Sequence, residues 1–160
     1  MVRWLFQFLL TLALSLWVGS IVFFSAVVAP GIFAAMERPA AGTLLAQLLP
    51  RYYRFGALCG GAALGVLLLL FLFDSGSRGL RFFQSALVVC MMAGTLYAGL
   101  VLEPRVHRLR RERTTAPSRL QREEAERRFE KLHARSMRLN VGVLALGVTG
   151  LGTLAVRKKS

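Results

Sequence analysis

Four long apolar blocks alternate with shorter polar stretches along this chain: Trp4–Ala29, Phe55–Phe73, Phe82–Leu102 and Leu139–Val156. Each is near or above the ~18 residues that mark a membrane-crossing helix, and none holds a full charge inside it. The pattern predicts an all-α fold, an integral membrane four-helix bundle formed by residues 1–160 as one domain. The first block is too long for the ~7–15-residue core of a secretion signal, and Pro30-Gly31-Ile32-Phe33 continues apolar behind it. It is expected to be a retained helix.

The long polar run, residues 103–138, also reads as helix. Ser118 followed by Gln121 has the capping-box spacing. Glu123, Glu124 and Glu126 then lie where the positive end of a helix dipole favours them. No Pro or Gly interrupts the chain from Ser118 to Val141, so one helix is expected to reach from Ser118 to Val156. At 1.5 Å per residue it is roughly 58 Å long, against a ~30 Å hydrocarbon core. Phe82–Arg113 can likewise run out of the membrane, with a bend at Pro104 and a turn at Thr114–Pro117. The expectation is that helices three and four extend into a charged cytoplasmic helical hairpin. Val106, Leu109, Ala125, Phe129 and Leu132 would supply its apolar seam.

Charge changes the picture in one respect. A formal net charge of +13 invites a nucleic-acid reading, but no folded nucleic-acid module is visible. Arginine-rich loops beside membrane spans meet anionic lipid headgroups and set topology. Residues 30–54 and 103–138 hold fifteen Lys or Arg, and the opposite side holds six. That count places the hairpin in the cytoplasm and both termini outside, in a plasma membrane of the bacterial inner type; the Arg157-Lys158-Lys159 tail pulls the other way. Cys59 and Cys90 both fall inside spans and form no CxxC pair.

Small residues recur four apart, as Ser15 and Gly19, as Ala57, Gly61 and Gly65, and as Ala86, Cys90, Gly94 and Ala98. The last helix carries Gly142, Ala145, Thr149 and Gly152. Such stripes let helices approach closely, so they are expected to face one another. Trp17 falls near mid-membrane and reads either as packing or as one wall of a ligand pocket. Residues 42–49 are too short to span and fit an interfacial or re-entrant helix, with Tyr52-Tyr53-Arg54 marking headgroup level. Val-Ala-Pro30 and Leu-Glu-Pro104 form an internal echo, which suggests two helix pairs with both prolines on one membrane face.

A turn near Thr115–Ser118 would set Glu103 level with residues 129–133, and so with His133. Ser136 and Asn140 continue the polar face inward, and Tyr53 or Arg54 could join them at the mouth of the bundle. A histidine beside a carboxylate can relay protons, hold a metal or act as a general base. It can equally be a structural hydrogen-bond network. His107 is expected farther out, as a solvated surface residue.

Trp17-Val18-Gly19, Phe23-Phe24, Ala29-Pro30-Gly31-Ile32-Phe33, Gly42, Tyr52-Tyr53 and Phe129, Leu132-His133, Ser136 and Asn140 carry a resemblance. On these residues the chain resembles the DUF4149 / transmembrane protein 205-like family and, more distantly, copper-resistance D-type four-helix membrane domains. That resemblance implies a four-helix membrane protein concerned with a drug or metal. It raises haem or a metal ion as cofactors and carries over no catalytic residue. Three functions are therefore expected, in this order. The first is a small transporter or transport accessory, a homo-oligomer handling a metal complex or small amphipathic molecule. The second is a haem or metal oxidoreductase using His133 and Glu103, and the third is a scaffold docking a partner through the hairpin.

Overall fold

The computed structural model describes residues 2–73, 78–115 and 118–156, and every described element is helical. Helix α1 (Val2–Phe23) passes through a π-helical segment (Phe24–Val28) into α2 (Ala29–Ala35). Helix α3 (Arg38–Phe73) follows after an extended Met36. Helix α4 (Arg78–Tyr97) likewise passes through a second π segment (Ala98–Leu102) into α5 (Glu103–Thr115), and α6 (Arg119–Val156) completes the chain. Four continuous helical stretches, Arg3–Ala35, Arg38–Phe73, Arg78–Glu112 and Arg119–Ala155, are long and apolar enough to cross a membrane. The chain is an integral membrane protein built as a four-helix bundle.

The internal echo has a backbone counterpart. Proline lacks an N–H and its ring collides with the carbonyl four residues back. Before each proline the helix widens by one residue. The Ala29 N–H bonds to the Phe24 carbonyl, and the Glu103 N–H bonds to the Ala98 carbonyl, both i to i−5. Pro30 therefore does not end the first helix, and Pro104 does not break the third.

Two other boundaries differ from expectation. The interfacial helix expected at residues 42–49 is the opening of α3, which runs unbroken from Arg38 through Pro50. Pro39 falls in its first turn, where a missing N–H is tolerated. Farther along, Arg110 Nη2 donates to the Pro39 carbonyl at 2.7 Å and holds this opening turn against α5. The turn expected at Thr114–Pro117 lies partly outside the described residues, as does the Arg157–Lys159 tail; α5 stays helical through Thr115. At the start of α6 the Gln121 N–H donates to Ser118 Oγ at 3.3 Å, the first half of a capping box. Along α5 and the first half of α6, Ala125 is buried and Val106, Leu109, Phe129 and Leu132 are half-buried.

The core centres on Trp17, which is 1% exposed, with Leu10, Leu14 and Ile21 of α1, Cys59, Ala63 and Leu67 of α3, and Val88 and Met91 of α4. In lipid the helices gain little from hiding apolar surface, so close packing decides the fit. A Cβ added to Gly60 would lie 2.7 Å from the Trp17 ring, and one on Gly56 would lie 2.8 Å from its Nε1. The indole lies against α3 because these two positions have no side chain. Gly147 and Gly94 do the same for α6 and α4, meeting Val18 and Val143.

The expected contact stripes hold in part: Gly94 and Ala98 of the α4 stripe pack inward, whereas most of the other stripe positions lie on an outer face. Gly19, Gly61, Gly65, Gly142 and Gly152 have nothing within reach of an added Cβ and face outward, and Cys90 is exposed. The bulk of Trp17 decides the rotation of α3, and a stripe of small residues read alone does not contain that information.

Two buried polar residues depart from the sequence reading, which counts Arg81 among the six basic residues of the opposite side and does not single out Gln84. Arg81 is 0% exposed, and its Nη1 donates to the Leu70 carbonyl at 2.5 Å, satisfying one of the last carbonyls of α3. Gln84, one turn on, donates from Nε2 to Thr153 Oγ1 at 3.0 Å. Both share the α4 face of Val88 and Met91, a periodicity that would have identified them.

Replacing Gly60 with Ala is expected to lower stability in detergent by about 1–3 kcal/mol through overpacking against Trp17 and Met92. Gly61→Ala, one position along in open space, should be neutral or stabilising by up to ~1 kcal/mol. Thermal unfolding of the two variants decides between this packing and the alternative face.

Candidate functional site

Tyr52 and Tyr53 are consecutive on α3, so their side chains diverge by about 100° and reach different neighbours. Tyr52 stacks on Phe24 in the first π segment, with ring centroids 4.7 Å apart. Tyr53 packs on the second, where a Cβ on Gly99 would stand 3.0 Å from its own Cβ. One pair of tyrosines therefore ties both widened helices together at one end of the bundle.

Their hydroxyls continue into α6. Tyr52 donates to Asn140 Oδ1 at 2.9 Å, and Asn140 Nδ2 donates to Ser25 Oγ at 3.2 Å. Tyr53 shares a hydrogen bond with Ser136 and lies in the field of the Glu103 carboxylate. Glu103 in turn pairs with His107 of its own helix, Oε1 to Nε2 at 2.5 Å. Behind the tyrosines is a cavity of about 10 Å³ lined by Trp17, Tyr52, Tyr53, Thr95 and Asn140 among others. It is the size of a single water and polar enough to hold one.

The structure thus brings together Glu103, Tyr53, Ser136 and Asn140 and places Trp17 on the cavity wall. It does not bring in His133 or Arg54. His133 is exposed and stacks on Phe129 of its own helix at 5.9 Å, and Arg54 is exposed beyond Tyr53. The residue paired with Glu103 is His107, not His133. The helix continues unbroken past Pro104, so residues four apart share a face, and that local pairing replaces the expected contact across the two arms. His107 is correspondingly not a free surface histidine. The i, i+4 spacing of Glu103 and His107 was the signal available for that pair; Ser25 was missed as well, and nothing in its spacing marks it.

This donor set does not fit the cofactors raised by the sequence. No three His, Cys, Asp or Glu side chains converge as a metal site among the described residues. The described lining of the cavity holds no His, Cys or Met to ligate a haem iron. Phenol, hydroxyl, amide and indole groups suit hydrogen bonding to an organic solute instead.

Tyr52→Phe should cost about 1 kcal/mol of stability, the net worth of one neutral hydrogen bond, and show coupling to Asn140→Leu in a double-mutant cycle. His133→Ala should stay within ~0.5 kcal/mol of the parent. Glu103→Gln and His107→Ala should couple by roughly 0.5–1 kcal/mol. Coupling of that size between Glu103 and His133 would contradict the arrangement.

No curated protein matches the chain, and no solved structure does. A family model does, over residues 12–115, a range that holds Trp17, both π segments, the tyrosine pair and the Glu103–His107 pair. That model is described as a domain of unknown function, DUF4149, and because it covers well over half of the sequence, the chain belongs to the DUF4149 family.

Proposed function

We propose that this protein is a small membrane transporter or transport accessory whose solute site is the pocket between Trp17, the tyrosine pair and Asn140. One observation carries the reading: both π-widened helices converge on a polar cavity through Tyr52 and Tyr53. Irregular helical turns that line a polar cavity are one device by which membrane transporters build sites, and a π-widened turn is such an irregularity. The lining suits a small amphipathic molecule, with aromatic faces for its apolar part and Tyr52, Asn140 and Thr95 for its polar part.

A cavity the size of one water is a closed state, so passage requires the π segments to shift against the tyrosines. A single four-helix chain leaves little room for a pathway, which favours assembly of two or more copies. The outward-facing Gly61, Gly65, Gly142 and Gly152 allow the close helix approach such an assembly needs. Counting basic residues puts the pocket end of the bundle on the cytoplasmic side, fifteen Lys or Arg against six.

Reconstituted vesicles loaded with a panel of amphipathic dyes test this. The protein should change the accumulation of at least one dye, and Asn140→Leu should return it to the protein-free level. Accumulation that is the same with the protein, with Asn140→Leu and with neither ends the transport reading.

A further inference from the structure

Cations on the pocket end of the molecule include two contrasting groups. Along the outer half of α6 and the far part of α5, several arginines have a carboxylate four residues away on the same helix: Arg108 with Glu112 at 3.0 Å, Arg119 with Glu123 at 3.1 Å, and Arg128 with Glu124. These charges are largely neutralised within the chain.

Arg51, Arg54, Arg105, Arg135 and Arg138 are different. Each lies within two residues of a member of the pocket cluster: Tyr52, Tyr53, Glu103, Ser136 or Asn140. They therefore lie on three of the four helical stretches, in α3, α5 and α6, at the level where the apolar spans end. All five are exposed, and among the described residues none is in an ion pair. None has an acid three or four positions away; instead Arg51 stands three from Arg54, and Arg135 three from Arg138. Like charges at that spacing repel, so the helices carry a local cost that an outside anion removes. Glu103, the carboxylate at this level, is taken up by His107. What contacts the five do make leave the charge unmet: Arg135 lies over the Tyr97 ring at 5.8 Å, and Arg138 Nε reaches the Ala134 carbonyl at 3.4 Å.

We infer that these five arginines form a belt that binds the phosphates of anionic phospholipids around the mouth of the pocket. Guanidinium groups grip phosphate through paired N–H donors, and tyrosines at the same level are suited to the headgroup zone. Depth separates the belt from the outer arginines of α6. Along the axis of α6, Arg128 stands ~15 Å and Arg119 ~29 Å beyond Arg138, both past the ~8 Å over which a membrane surface charge acts at physiological ionic strength.

The test uses the full chain in mild detergent, with phosphatidylglycerol and phosphatidylcholine of matched acyl chains, read by native mass spectrometry. The wild type should retain phosphatidylglycerol preferentially. R51Q/R54Q and R135Q/R138Q should each lower that preference by about 25-fold, at about fivefold per arginine, with helix content unchanged by circular dichroism. R119Q/R128Q removes as much charge from the far part of α6 and should keep the preference. An unchanged preference in both belt variants, or an equal loss in R119Q/R128Q, would overturn the inference. Complete displacement of phosphatidylglycerol by millimolar inorganic phosphate would also overturn it, by showing a site for free phosphate.

Discussion

A backbone group that loses its partner inside lipid has no water to turn to, and proline removes such a partner by its nature. Pro30 and Pro104 impose this constraint at equivalent places in the two helix pairs, and both are resolved by shifting one hydrogen bond to the fifth residue back. Everything at the pocket end follows from those two repairs. Widening keeps α1 and α2, and likewise α4 and α5, as continuous stretches. It also presents Ser25 to Asn140 and sets Glu103 one turn below His107. The tyrosine pair of α3 then fits between the two widened turns and fixes their separation.

Much of this was legible from residue patterns. The four spans, the Ser118 cap and the proline echo depend on spacing within a short window, and spacing is what a sequence displays. The polar cluster was legible in part, because Tyr53, Ser136 and Asn140 stand at the edges of apolar blocks where polar groups must meet. Less legible was the partner of Glu103. A guessed turn position fed an antiparallel register, and the nearer His107 was set aside as lying too far out toward that turn. Helix rotation was invisible for a different reason. Gly56 and Gly61 look alike in sequence, and only the volume of Trp17 across the interface distinguishes them.

Arg81 shows the limit of counting charges by loop. It follows a stretch that any topology count assigns to the aqueous side, yet it is buried and serves the end of α3. At the other end of the bundle, proximity to the spans divides cations satisfied by neighbouring carboxylates from those left to the surroundings. A tally of basic residues counts Arg81 as a loop charge although it is buried; pairing within the helices adds what the remaining residues are free to do.

The two tryptophans occupy opposite environments, Trp4 at 68% exposure near the start of α1 and Trp17 at 1% beside the cavity. Fluorescence from this protein is therefore the sum of one emitter at the periphery and one in the interior. With Trp4 replaced by phenylalanine, the remaining emission belongs to the cavity wall alone. The molecule then carries its own optical gauge of whether that wall is dry, wetted or touched by a guest.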